Sequence, residues 1–107
     1  MSDLAEFLWD VLTDEPKTRG ELMEILGEKD RAIRRAVTEL RKHGYNVASS
    51  SSVGGYWRGN EDDRKRTIRE YRAKAYEELA IAYALERGED YQMVMPLEQL
   101  AGALRCG

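Results

Sequence analysis

Two helical periodicities separated by only a few residues constrain the fold of this chain more than any other feature. The first begins with the capping-box spacing Thr18-x-x-Glu21, in which each side chain can bond the other's exposed backbone N–H, and ends at Gly27. The second runs from about Asp30 to His43, where Gly44 provides a C-terminal stop. This short connection predicts two consecutive helices that cross at a steep angle.

The second of these helices separates apolar side chains from basic ones. Ile33, Val37 and Leu40 share one face, supported by Ala36. The opposite face, called the basic face below, spans about a third of the helix circumference. It consists of Arg31, Arg34, Arg35, Thr38 and Lys42. Either it binds an anionic partner, or it is simply a solvated side of the helix.

A further helix is predicted before this pair, over Asp3–Thr13, with Asp3 as its N-cap. The polar turn Asp14–Pro16 ends it, because proline cannot continue a helix. Its apolar face consists of Leu4, Phe7, Leu8, Val11 and Leu12. The predicted core of the domain combines residues of the three helices with the aromatic residues of the strands that follow. The helical members are Leu8, Val11, Leu22, Ile25, Leu26, Ile33, Val37 and Leu40.

A β-hairpin is predicted after Gly44. Tyr45–Ser49 alternates as a short strand, and Tyr56–Arg58 is the returning strand. Between them, Ser50, Ser51 and Ser52 form a polar tip, called the serine tip below. Its hydroxyls either bond phosphates or serve only as turn residues.

A long helix is predicted from Asn60, as N-cap, to about Arg87, with Asp63 in its acidic first turn. The bases of its first half either follow a DNA backbone or pair with nearby acids. They are Arg64, Lys65, Arg66, Arg69, Arg72 and Lys74. A last helix is predicted in the tail, with Pro96 in its first turn and a face of Leu97, Leu100, Ala101 and Leu104.

Charge is distributed unevenly over the 107 residues, although the net charge is only −3. Residues 29–59 carry seven bases and two acids, whereas residues 1–28 carry eight acids and two bases. Phosphate binding depends on such a local field more than on the total charge. The distribution therefore permits a nucleic-acid partner for the central segment.

Several classes of function find no support in the sequence. No apolar stretch is long enough to span a membrane, the N-terminus has no secretory pattern, and Cys106 is the single cysteine, which together favour the cytoplasm. His43 is the single histidine and has no neighbouring cysteine, so a zinc site is not expected. With no nucleophile–base motif and no phosphate-binding glycine loop, we expect neither an enzyme, nor a cofactor, nor a small-molecule ligand.

The stretch from about Phe7 to Trp57 resembles the winged helix-turn-helix domain of the biotin-repressor type. The resemblance rests on the segments TRGELMEILG, RAIRRAVTELRKHG and GYNVASSSSVGGYW. In that family the third helix ends in a leucine, a basic pair and a glycine, here Leu40, Arg41, Lys42 and Gly44, before a wing closed by glycine and tyrosine. The chain contains no biotin-ligase domain, so biotin chemistry is not implied. Its form also resembles small stand-alone proteins of phages and mobile elements.

The predicted fold is therefore mainly α with a small β-hairpin. A winged helix-turn-helix domain occupies residues 1–59, and a long helix with a short tail helix occupies residues 60–107. The resemblance implies a double-stranded DNA-binding protein, either a transcriptional regulator or an accessory factor of a phage or mobile element. The third helix would enter the major groove, while the serine tip and Arg58 contact flanking backbone. The alternatives are a protein–protein interaction module and a non-catalytic subunit of a larger complex.

The sequence also predicts a homodimer that is held together through the long helix. The winged domain leaves an apolar girdle on this helix with too little of the same chain to cover it. The girdle consists of Leu79, Ile81, Ala82, Tyr83 and Leu85. Either a partner copy covers it in a two-fold contact, or the tail folds back over it in a monomer.

Overall fold

A computed structural model describes residues 1–88, which form four helices and one three-stranded antiparallel sheet. The elements are α1 (Asp3–Val11), β1 (Lys17–Thr18), α2 (Arg19–Leu26), α3 (Asp30–Lys42), β2 (Val47–Ser50), β3 (Gly55–Arg58) and α4 (Glu61–Arg87). The predicted mainly helical class with a small β-hairpin is confirmed at this level. The predicted tail helix lies outside the described residues. No helix in residues 1–88 is both long enough and apolar enough to cross a membrane.

The described residues divide into two units, of which the first is Met1–Lys65 and the second begins at Arg66. The first unit contains the three short helices, the sheet and the first turn of α4. That turn is tied to the sheet, since Trp57 Nε1 donates to Asp63 Oδ2 at 3.1 Å. Asn60 and Asp63 cap the helix reciprocally, each backbone N–H donating to the other's side chain, so the predicted N-cap at Asn60 is confirmed.

The ends of α1 differ from the prediction. Ser2, not Asp3, is the N-cap, because the Ser2 hydroxyl accepts the hydrogen bond of the Ala5 N–H at 3.2 Å. The helix ends at Val11 and not at Thr13, since Leu12 adopts an extended conformation after its N–H bonds Leu8 O.

The ends of α2 follow the predicted signals. Thr18 is the N-cap, and its Oγ1 accepts the Glu21 N–H at 3.1 Å. The Glu21 carboxylate accepts the Thr18 hydroxyl at 3.2 Å, where the sequence pattern predicted a bond to the Thr18 backbone N–H. Gly27 ends the helix in the left-handed region, with φ 65°, which residues bearing a Cβ rarely adopt.

The sheet has the order β1-β3-β2, so β3 is its central strand. The two-residue strand β1, absent from the prediction, pairs Lys17 with Tyr56 and Thr18 with Gly55. The hairpin strand β2 begins at Val47 instead of Tyr45, because the Tyr45 N–H donates to Leu40 O and so completes the end of α3. The predicted alternation in this strand is wrong, since Val47 and Ala48 are both fully buried.

One core joins the three short helices and the sheet. Its buried members are Ala5, Leu8, Leu12, Leu22, Ile33, Ala36, Val37, Leu40, Val47 and Tyr56. Val11 and Leu26, which were predicted in it, are half-buried at its edge. The prediction was wrong for Ile25, which is 55% exposed, and for the placement of Phe7 on the buried face of α1, since Phe7 is 62% exposed. The face of α1 that packs into the core carries residues 5, 8 and 12. Phe7 lies on the neighbouring face, outside the core.

Gly55 is the position where the sheet tolerates no side chain. A Cβ on this residue would lie 2.1 Å from the backbone oxygen of Lys17. Gly55→Ala must therefore displace β1 from β3, and we expect a loss of about 2 kcal/mol or more in the free energy of unfolding. Urea denaturation followed by circular dichroism measures the loss.

Gly20→Ala provides the matched control. Gly20 lies in α2, where a Cβ meets nothing closer than Thr18 Oγ1 at 4.0 Å. Alanine should stabilise this helix by roughly 0.5–1 kcal/mol. Equal stabilities for the Gly55→Ala protein and the parent would contradict the close approach of β1.

Candidate nucleic-acid interface

The basic face of α3 is exposed along its length. Arg31, Arg34, Arg35, Thr38 and Lys42 line one shallow concave surface together with Glu39. The opposite face of the same helix is anchored in the core, where Ile33 and Leu40 are fully buried and Val37 is 3% exposed. The five α3 residues that were predicted to share one face therefore lie together on one surface.

Asp30, at the start of α3, partly neutralises this face. Its Oδ2 lies 2.9 Å from Arg34 Nε and 3.7 Å from Arg19 Nη1. Its Oδ1 is buried and has no hydrogen-bond partner in the described part of the chain. Burial raises the pKa of Tyr56 in β3, and the Asp30 carboxylate raises it further. Asp30 therefore holds cations of α2 and α3 together beside the hairpin.

Glu39 is an acid on the same concave surface, and the start of α1 engages both of its oxygens. The Ser2 hydroxyl donates to Glu39 Oε2 at 2.6 Å, and the Ser2 N–H donates to Oε1 at 2.7 Å. These two hydrogen bonds hold the pKa of Glu39 below its usual value, so it stays ionised. Within residues 1–88, no lysine or arginine side chain forms an ion pair with this carboxylate.

Three cations of the basic face remain available for an external anion. Arg31, Arg35 and Lys42 are exposed and form no ion pair within residues 1–88. The Thr38 hydroxyl donates to Arg34 O at 3.1 Å, which leaves its oxygen free to accept.

The serine tip lies on a different concave surface. Ser50 and Ser51 line it with Arg19, whose side chain is 55% exposed. Ser52 is exposed, and its hydroxyl lies 2.8 Å from that of Ser50. The Arg19 N–H bonds Gly54 O at 3.4 Å, next to the β1–β3 pairing. Arg19 was not among the residues predicted from the sequence, because it is the first residue of α2 and lies beside the hairpin only through the pairing of β1 with β3.

Arg58 is engaged inside the first unit. Its Nη2 donates to Trp9 O at 2.6 Å, and its guanidinium carbon lies 4.2 Å from the centre of the Trp9 ring. Trp9 in turn meets the Tyr45 ring edge-on, with centroids 4.9 Å apart. This cation–π stack joins β3 to α1. The Arg58 side chain therefore contributes to packing within the first unit, where the sequence predicted a contact with DNA.

Arg41 is the basic residue of α3 that points away from the basic face. Its Nε and Nη2 donate to Val47 O at 2.9 and 2.8 Å, and Nη2 also donates to Ser49 Oγ at 3.2 Å. This fork fixes β2 against the end of α3. It therefore sets the position of the serine tip relative to the basic face.

Two bases of α4 are paired along the helix. Arg64 bonds Glu61, and Arg66 Nε lies 4.0 Å from Glu70 Oε1. Arg64 and Arg66 thus pair with nearby acids of the same helix, which was one of the two possibilities for the bases of α4.

The apolar girdle of α4 is only partly covered. Ile81 is 46% and Leu85 78% exposed, Ala82 is exposed, and Leu79 and Tyr83 are half-buried.

Comparison of the chain with protein-family models, with curated proteins and with solved structures finds no significant match. Within residues 1–88 no three His, Cys, Asp or Glu side chains are grouped so that they could hold a metal ion. The exposed cations of α3 share one face of a helix whose opposite face is buried in the core.

Arg41 and Arg35 should differ sharply in their effect on stability. Arg41→Ala leaves Val47 O without its charged donor, and we expect a loss of roughly 1–3 kcal/mol in the free energy of unfolding. Arg35→Ala removes the same charge from the same helix at an exposed position, so the change should stay within about 0.5 kcal/mol. Parallel urea titrations measure both, and equal losses would contradict the distinction between structural and exposed bases.

Proposed function

We propose that this is a winged-helix protein that binds double-stranded DNA through the basic face of α3. The observation that carries the proposal is the exposure of Arg31, Arg35 and Lys42 on one side of a helix whose other side is anchored in the core. An α-helix fits the major groove of B-DNA, and arginine forks match guanine edges and phosphates.

The arrangement of the first unit supports this proposal. Three helices, a two-residue strand between the first two, and a β-hairpin after the third fit the winged-helix pattern that the sequence resembles. The hairpin serves as the wing in this interpretation. Because Arg41 bonds β2 to α3, the helix and the wing are held in a fixed relative position for contact with a duplex.

The surroundings of each side chain suggest its role. Arg31 and Arg35, free of ion pairs in the described residues, contact base edges, and Lys42 contacts a phosphate as a point charge. Arg34 shares its charge with Asp30 and contributes mainly to the backbone contact. Arg19 and the serine tip contact the flanking phosphates. Such a protein would act as a transcriptional regulator or as an accessory factor of a phage or mobile element.

Fluorescence anisotropy with labelled mixed-sequence duplex DNA tests the proposal. Binding should weaken by an order of magnitude or more between about 50 and 200 mM salt, because the cations release counterions condensed on the phosphates. Arg35→Ala should lower the affinity by about 1–3 kcal/mol if the side chain contacts a base edge.

Arg87→Ala is the control, since it removes the same charge near the end of α4 and should bind like the parent. No binding at low salt, or equal binding by the Arg35→Ala protein, would argue against this face as the interface. Binding that is insensitive to salt would argue against the electrostatic mode.

Asp30→Asn should strengthen binding to mixed-sequence duplexes. The substitution releases Arg34 and Arg19 from their shared carboxylate and removes one negative charge beside the interface. We expect an increase of roughly two- to tenfold in affinity at low salt and a steeper salt dependence. Unchanged or weaker binding by a folded Asp30→Asn protein, in the same anisotropy titration, would contradict the role given to Asp30.

We also propose that the protein forms a homodimer through the apolar girdle of α4. The exposure of Ile81 and Leu85 supports it, since adjacent exposed apolar side chains are typical of interfaces. Sedimentation equilibrium should give about twice the 12.3 kDa of one chain, and Leu79→Asp or Leu85→Asp should shift the mass towards one chain. Val53→Asp, at an exposed site in the hairpin turn, is the control. A parent mass of 12.3 kDa would contradict the dimer.

A further inference from the structure

An exposed apolar groove lies between α1 and α2, away from the helix that carries the basic face. Phe7 from α1 is 62% exposed and Ile25 from α2 is 55% exposed. Half-buried Leu4, Val11 and Leu26 complete the apolar lining. Asp3 and Glu28 line the same groove with carboxylates. We call this surface the acidic-rimmed groove.

The fold does not need the two most exposed side chains of this groove. Leu8 and Leu22, on the inner faces of the same helices, are fully buried and already form the contact with α3. Exposing Phe7 and Ile25 to water is unfavourable. Contiguous exposed apolar side chains with a polar rim are typical of interaction surfaces.

The charge around the groove identifies the kind of partner. Six acids occupy α1, α2 and the residue after Gly27: Asp3, Glu6, Asp10, Glu21, Glu24 and Glu28, all of them exposed. The one base of these two helices is Arg19, which is held beside Asp30. A second copy presenting the same groove would place acids against acids, which disfavours a two-fold contact there. A complementary partner instead has apolar side chains surrounded by lysine or arginine.

We propose that the acidic-rimmed groove docks a basic amphipathic helix of a protein partner. Apolar anchors spaced at i, i+3 or i+4 and i+7 on that helix would contact Phe7 and Ile25, as in other helix-in-groove complexes. Its cations would face the carboxylates of the rim, such as Asp3 and Glu28. The groove and the basic face lie on different helices, so this inference does not depend on DNA binding.

Fluorescein-labelled model helices test the proposal against the full chain. The first peptide, about 18 residues or roughly five turns long, carries leucine on one face and lysine elsewhere. The second has the same composition in a scrambled order without an apolar face, and the third keeps the leucine face but carries glutamate for lysine. We expect the first to bind with a Kd in the micromolar range, at least about tenfold tighter than either control peptide.

Paired variants locate the binding on this groove. Phe7→Ser with Ile25→Ser leaves every charge in place and should weaken binding of the first peptide by about tenfold or more. Val53→Ser removes a side chain that is 50% exposed in the hairpin turn, and it should leave the affinity unchanged. Thermal melts followed by circular dichroism establish that both variants are folded, and the DNA titration of the Phe7→Ser, Ile25→Ser protein should match that of the parent.

Three outcomes would overturn the proposal. Equal binding of the scrambled or the glutamate peptide would remove the need for an apolar face or for basic charge. Unchanged affinity in the folded Phe7→Ser, Ile25→Ser protein would place the peptide elsewhere. A parent dimer that this double substitution converts to monomer, in sedimentation equilibrium, would make a second copy the occupant of the groove.

Discussion

Burial of one face of α3 is the constraint on which the rest of the first unit depends. Ile33 and Leu40 are fully enclosed by α1, α2 and the sheet, and Val37 is nearly so. Because side chains on a helix repeat every 3.6 residues, fixing this face inward necessarily directs Arg31 and Arg35 outward. Core packing and the candidate interface are therefore two consequences of one sequence pattern, and a slip of α3 by one residue would destroy both.

Polar contacts then set where the hairpin lies relative to that helix. Arg41 bonds the backbone of Val47, and Gly55 lets β1 approach β3 where any side chain would collide with Lys17 O. At the other end of the hairpin, Asn46 Nδ2 donates to Gly59 O and to Asn60 O, both at 2.9 Å. The sheet is small, but contacts on both sides of it restrain the hairpin beside α3. This restraint is what a pre-organised two-part binding surface requires.

Much of this architecture could be predicted from the sequence, because long amphipathic helices and caps give strong local signals. The basic face of α3, the cap at Thr18 and the hairpin follow from periodicity and turn residues. β1 could not be found, since two residues show no alternation and owe their pairing to β3. The role of Arg58 was equally hidden, because it depends on Trp9, 49 residues earlier in the chain. Ile25 was predicted in the core because it is hydrophobic. Which apolar residues of α2 are buried depends instead on how α1 and α2 pack, and Ile25 is exposed.

Acidic and basic side chains lie on different helices of the first unit. The acids of residues 1–28 lie on and around α1 and α2, whereas Arg31, Arg35 and Lys42 lie exposed on α3. A net charge of −3 thus conceals two surfaces of opposite character. In the proposed complex, the acidic side would help to restrict a duplex to a single orientation, because like charges near phosphates are unfavourable.

An NMR titration of the isotope-labelled full chain with a short DNA duplex shows whether α3 is the DNA-binding element. Backbone amide shifts report which residues meet the duplex without requiring any substitution. We expect the largest shift changes in residues 31–42 and at the serine tip, with the amides of Phe7 and Ile25 unmoved. Shifts concentrated on α1 and α2, or an absence of shifts at low salt, would contradict the assignment of α3 as the DNA-binding element.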